Sequence, residues 1–184
     1  MRRQTKRFLL SAVLLCLTYG CGHKTANTFS DAVPLLVAKG VVTKSEDTRI
    51  YALRDRAATM PLTVSDVDWL LSVAYRKSPS LWLQGTKLDI IAHVFVYAGS
   101  ARLPVSRRGQ VLAFASNEIN FWQSYRPVVV GNHLVRLENV PMGACLILKS
   151  LGTKTALAQI RLLLTSPNVD VREFARKVLA NPNI

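Results

Sequence analysis

Few side chains in this chain could do chemistry, and their spacing limits what that chemistry would be. Three histidines stand at positions 23, 93 and 133, and none carries the His-Glu-x-x-His spacing that puts two imidazoles and a general base on one helical face. There is no Gly-x-Ser-x-Gly elbow to expose a nucleophilic serine, and no glycine-rich loop to cradle phosphate. Asp66 and Asp68 are paired carboxylates, but they fall at the start of a helix-like pattern, where capping accounts for them without acid–base work. Cys145 lies between Ala144 and Leu146 on an apolar stripe, the setting in which a thiol acts as a small hydrophobe. His93, between Ala92 and Val94, reads as a half-buried, satisfied side chain. No catalytic residue, metal site or cofactor is expected. What remains is a cluster of cations, Arg102, Arg107, Arg108 and Arg126, close in sequence to Phe121, Trp122 and Tyr125. Cations with interleaved aromatics could bind an anionic polymer or nucleic acid. The competing reading is a solvated basic face with Trp122 in the core.

The beginning of the chain reads as an address. Arg2, Arg3, Lys6 and Arg7 precede an apolar run from Phe8 to Leu17, the layout of a secretory signal peptide over residues 1–20. The run is shorter than the roughly 20 apolar residues of a transmembrane helix. The next segment, Leu17-Thr18-Tyr19-Gly20-Cys21-Gly22, resembles the bacterial lipobox, although Thr18 stands where that pattern prefers leucine. The resemblance implies that Cys21 receives lipid and becomes the mature N-terminus, anchoring the protein at the envelope membrane outside the cytoplasm. The alternative is cleavage by an ordinary signal peptidase, giving a soluble secreted or periplasmic protein. Residues 21–30 lack apolar periodicity and suit a tether.

Composition sets the remaining bounds. A hydrophobic fraction of 49% with 19% charged residues is that of a globular chain, and residues 31–184 are long enough for one domain with its own core. Removing the four cations of the signal leaves 20 basic residues against 11 acidic ones, so a net charge of +9 persists. Anionic headgroups or acidic polymers are plausible partners for such a surface.

The elements that must position these residues are helical. An apolar stretch over 31–42 has Ser30 as a candidate N-cap, Pro34 in the first turn and Gly40 as a stop; a weaker helix covers 49–58. Ser65 with Asp68 resembles a capping box, followed by a stripe of Val67, Leu70, Leu71, Ala74 and Tyr75 and a break at Ser78-Pro79-Ser80. Leu88, Ile91, Ala92, Phe95 and Val96 form the next stripe, closed by Gly99. After Pro104 a third helix carries Val111, Phe114, Ala115, Ile119 and Trp122. Residues 127–136 break the pattern with two short extended runs around Gly131-Asn132, read as a β-hairpin or a loop insertion. Three further stripes follow: Val140 to Leu151 ended by Gly152, Leu157 to Leu164, and Val171 to Leu179 after the break at Ser166-Pro167-Asn168. Arg172, Arg176 and Lys177 fall off the last stripe and read as solvent-facing, with Glu173 and Lys177 at pairing distance.

Two of these helices share a phrase. Asn139-Val140-Pro141 with Ala144, Ile147 and Leu148 recurs 31 residues later as Asp170-Val171-Arg172 with Ala175, Val178 and Leu179. A period of that length accommodates one helical hairpin, and stacked hairpins bury faces that a single unit leaves bare. The expected fold is therefore all-α, an α-solenoid of antiparallel hairpins. The segment from Asn139 to Leu179 resembles the short bacterial class of HEAT-like repeats, and residues 65–98 resemble the same hairpin more loosely. Pro141 departs from the arginine found at Arg172. Enzymatic HEAT-like relatives include metal hydroxylases, whose His-Glu pairs are missing here, and DNA glycosylases with basic, aromatic grooves. The resemblance thus implies a noncatalytic protein-binding or scaffolding module. The alternatives are an anionic-polymer binder using the 102–126 region and an enzyme whose site is dispersed.

Overall fold

The computed structural model describes residues 35–130 and 133–181. The signal segment, Cys21, the tether, Ser30 and Pro34 lie outside these residues, as do Gly131 and Asn132. After a helical turn at 35–38 come α1 (Lys44–Ala57), α2 (Val64–Tyr75), α3 (Leu81–Arg102), a 3-10 turn (Val105–Arg107) and α4 (Arg108–Trp122). Strands β1 (Val128–Val130) and β2 (His133–Val135) follow, then α5 (Asn139–Leu151), α6 (Lys154–Leu162), a second 3-10 turn (Leu163–Thr165) and α7 (Val169–Ala180). The chain is mostly helical, with one small antiparallel sheet in which Val128 opposes Val135 and Val129 opposes Leu134.

The starts of α1, α2, α6 and α7 are fixed by side-chain caps, and the first two differ from the sequence expectation. The helix expected over 49–58 begins at Lys44, because Thr43 and Glu46 form a reciprocal capping box: Glu46 N–H donates to Thr43 Oγ1 (3.2 Å) and Thr43 N–H to Glu46 Oε2 (2.7 Å). The box expected at Ser65 and Asp68 lies two residues earlier, at Thr63 and Asp66. Asp66 wins because its Oδ2 also accepts from Thr63 Oγ1 (2.6 Å) and from the Arg56 guanidinium, whereas Asp68 turns outward. Gly40 stops the first turn with φ 65°, a conformation that favours glycine. Gly99 interrupts α3 where the sequence placed its stop, with the positive φ expected there. It takes a non-helical conformation (φ 55°, ψ 178°), and a helical turn resumes beyond it to Arg102.

The extensive helix contacts connect neighbours one or two places apart in sequence: α2 with α3, α4 with α5, α5 with α6 and α6 with α7, then α1 with α3, α3 with α5, α5 with α7 and α4 with α6. Helix α5 is the hub. Val140, Pro141, Gly143, Ala144, Cys145, Leu146, Ile147 and Leu148 are all buried, so it is covered on most of its circumference. At Gly143 an added Cβ would meet the Ala92 methyl at 3.2 Å, which lets α3 and α5 approach closely. Ala144 and Ala175, the equivalent small residues of the repeated phrase, are both in the core. Phe95 and Phe114 meet edge to face at 5.7 Å beneath Tyr75.

The end of α2 is held by α3. Gln84 Nε2 donates to the Ala74 carbonyl (3.0 Å), and the Lys87 ammonium donates to the carbonyl of Arg76. The exposed carbonyl end of one helix is therefore capped by the side chains of the next. Arg76 in turn reaches back to both oxygens of Glu46 (2.9 Å each) and to the Val41 carbonyl (3.1 Å). That guanidinium holds the Glu46 carboxyl below its ordinary value, against the opposing effect of burial.

Candidate functional site

The residues of the expected basic–aromatic face are dispersed in role. Trp122 is 1% exposed, and its indole N–H donates to Glu118 Oε2 at 2.8 Å, so it belongs to the core and presents no ring to a ligand. Arg107 is engaged with Asp68 through two bonds (2.6 and 2.9 Å), and this pairing holds the Asp68 carboxyl below its ordinary value. Arg102 and Arg108 are half-buried, and the Arg102 carbonyl accepts from Leu62 N–H at 2.9 Å. Arg126 is exposed. The aromatic that reaches solvent is Phe121, stacked on Tyr125 with centroids 5.6 Å apart. Arg172, expected on the solvent side, is half-buried and donates to the Ser166 carbonyl at 2.5 Å.

Two clusters of titratable groups do lie inside. In the first, Lys87 (α3) and Glu118 (α4) are 1% and 8% exposed. Burial lowers the Lys87 ammonium to about 8, helped by the nearby Arg76 charge and opposed by Glu46 and Glu118. Burial likewise raises Glu118 to about 7, opposed by the Trp122 bond and the Lys87 charge. The Glu118 charge and burial both push Tyr75 up. Perturbed groups in a cleft are candidates for catalysis. Here Lys87 and Glu118 each bond a structural partner, the Arg76 carbonyl and the Trp122 indole.

The second cluster does line a cavity, of about 30 Å³, between α3 and α5. Asp89 and His93 face Asn139, Met142 and Gly143 there, with Val96 and Leu146 completing the wall. His93 Nδ1 sits 2.8 Å from the Asp89 carbonyl, one turn back, and 3.5 Å from Asp89 Oδ1. Asp89 Oδ1 is buried without a hydrogen-bond partner, and burial raises its carboxyl, against the pull of His93 and Asn139. The sequence signal was available: Asp89 precedes His93 by four residues, the spacing that stacks two side chains on one helical face. A cavity of this size takes one or two waters. Its walls provide an acid and an imidazole but no hydroxyl or thiol nucleophile, so the arrangement can hold water or relay a proton and lacks the parts for acyl transfer.

Among the described residues no group of three or more His, Cys, Asp or Glu side chains could hold a metal, and no helix is long and apolar enough to cross a membrane. Cys145 is a fully buried thiol. No family model, curated protein or solved structure matches the chain.

Proposed function

We propose that this protein is a noncatalytic protein-binding or scaffolding module held at a bacterial cell envelope through lipid on Cys21, and that its helices form a HEAT-like α-solenoid. The observation that carries this is the contact order of the helices. Odd-numbered helices pack successively, α1 on α3, α3 on α5 and α5 on α7, while α4 packs on α6. Extensive contacts between neighbours one or two apart are what a two-layered stack of hairpins requires. The repeated phrase agrees, since its two copies start α5 and α7 and those helices touch. Two buried charges also agree: Lys87 caps the end of α2 and Glu118 accepts from the Trp122 indole.

Crosslinking in native cells tests the role and the anchor together. Wild type should yield a discrete protein adduct in the membrane fraction, and Cys21→Ser should move the protein to the soluble fraction and lose the adduct. Unchanged fractionation would remove the lipid anchor from this reading, and absence of any adduct would remove the scaffold. The second reading, an anionic-polymer binder, is favoured by the exposed Arg126 and by Arg108, neither of which has an acidic partner among the described residues. It requires binding that weakens steeply with salt and falls on Arg108→Ala and Arg126→Ala.

A further inference from the structure

Asp89 is an acid kept apart from the cations of a cation-rich chain. The protein carries 24 lysines and arginines against 11 acids. Glu46, Asp55, Asp66, Asp68 and Glu138 each pair with an arginine. Asp89 pairs with no lysine or arginine among the described residues, and neither type lines the cavity beside it. Its titratable neighbour is His93, whose Nδ1 is 2.8 Å from the Asp89 backbone carbonyl and 3.5 Å from Oδ1. A carbonyl only accepts, so Nδ1 carries the proton and spends it on the backbone. Oδ1 is left buried with no hydrogen-bond partner, a costly state for a carboxylate oxygen. The missing group is a donor, and a positively charged donor would offset the carboxylate charge as well.

We propose that the cavity between α3 and α5 binds a primary ammonium group on an alkyl stem, with the ammonium donating to the Asp89 carboxylate and the stem lying against Val96, Met142 and Leu146. The ammonium head has the size of the water that such a cavity accepts. The wall is apolar apart from Asp89, His93 and Asn139, the make-up of a site that fixes a polar head and covers a hydrocarbon stem. The Asp89 and His93 side chains are 23% and 27% exposed, so the site meets solvent at their edge. An anion would face the carboxylate, and a metal ion would find fewer than three His, Cys, Asp or Glu ligands among the described residues. Burial raises the Asp89 carboxyl while His93 and Asn139 pull it down, so ligand and proton compete there and affinity falls as the solution turns acid. The binding requires neither the scaffold role nor the lipid anchor.

Titration of the full chain with propylammonium chloride at constant ionic strength and near-neutral pH, read by calorimetry and by the His93 ring signals in NMR, tests it. Saturable binding with a Kd on the order of millimolar is expected, a realistic affinity for so few atoms. Propanol, the neutral counterpart, and tetramethylammonium, a wider cation with no N–H, should each bind at least about tenfold more weakly. Asp89→Asn removes the charge at nearly constant shape and should weaken propylammonium at least about tenfold. If the melting curve of that variant shifts, Val96→Phe decides: it fills the cavity, keeps the carboxylate and should abolish binding. Nα-acetyl-lysine methylamide distinguishes the sources of the group. Binding within about tenfold of propylammonium assigns a lysine side chain of a protein partner, and its failure where propylammonium binds assigns a free amine. No saturation up to about 0.1 M, equal binding of propanol, or unchanged binding by Asp89→Asn would overturn the proposal.

Discussion

Gly85 on α3 lies directly against the Trp122 indole of α4: a Cβ placed on this glycine would stand 3.2 Å from Cζ3 of the ring and 2.6 Å from Cδ2 of Leu137. The missing side chain is what allows the largest buried residue of the core to seat. Its effect should be visible on substitution. Gly85→Val is expected to destabilise by about 1–3 kcal/mol through overpacking, and thermal melting with tryptophan fluorescence would measure it. Combining it with Leu137→Ala should lose less than the sum of the two single changes, because the second removes one of the clashing atoms.

The Lys87–Glu118 pair makes stability depend on pH in two windows. Glu118 is raised from 4.5 to about 7, so the folded state holds a proton that the unfolded chain releases, and stability falls as pH rises from about 4.5 to 7. Lys87 is lowered from 10.5 to about 8, so above pH 8 the unfolded chain holds the extra proton and stability recovers toward pH 10.5. The contribution of the pair is therefore lowest near pH 7 to 8. Glu118→Gln keeps an acceptor for the Trp122 N–H and removes the charge. It should flatten the lower window and raise stability at pH 7.5 by roughly 1–3 kcal/mol in urea unfolding. A variant less stable than wild type at that pH would refute this account of the core charge.

Asp66 is a joint between two helices. Burial opposes its ionisation, but the Thr63 bonds and the Arg56 charge outweigh it, so its carboxyl is held below the ordinary value. Its contribution is accordingly present above pH 3.8 and is lost as pH falls through the lowered folded value. Asp66→Asn should cost about 1–3 kcal/mol at pH 7 and progressively less as pH falls below 3.8, followed by denaturant titration across that range. Thr63→Ala should cost about 1 kcal/mol at pH 7, the usual loss of an N-cap.

The periodic stripes were the legible part of this fold. Val111, Phe114, Ala115, Ile119 and Trp122 are all buried in α4 as their spacing required, and the extended runs around 127–136 do pair as a hairpin. Capping was less legible, because Thr63 and Ser65 are both acceptable caps locally and the choice is settled by Arg56, ten residues before Asp66 in sequence. The burial of Trp122 could be read from its stripe, yet its partner could not. Glu118 looks like a surface residue until the indole N–H one turn later gives it a reason to be inside. Lys87 is the harder case, since it occupies a helix face that periodicity assigns to the core and its compensating acceptor is a carbonyl of the preceding helix. The candidate site was legible only in its ingredients: Asp89 and His93 are one helical turn apart, but Asn139 joins them from fifty residues downstream.

Asn168 combines local and distant work in one amide, and its removal should expose both. Its Oδ1 accepts from Asp170 N–H (2.9 Å) and Val171 N–H (3.4 Å), satisfying donors at the start of α7 that have no partner within the helix. Its Nδ2 donates to the Tyr125 carbonyl, tying the α6–α7 turn to the segment after α4. Asn168→Asp retains the cap, since a carboxylate accepts the same two N–H groups, but replaces the donor with an oxygen that would face the Tyr125 carbonyl. Asn168→Ala loses both. The alanine variant is therefore expected to lose about 1–2 kcal/mol, and the aspartate variant to retain α7 while loosening the turn. Amide hydrogen exchange separates the two effects. Protection in the first turn of α7 should fall in Asn168→Ala and persist in Asn168→Asp, whereas Ser166 Oγ, still bonded to Gln123, keeps the turn partly fastened in both. Equal protection losses across α7 in the two variants would mean that the tie to Tyr125, and not the cap, is what holds the last helix in place.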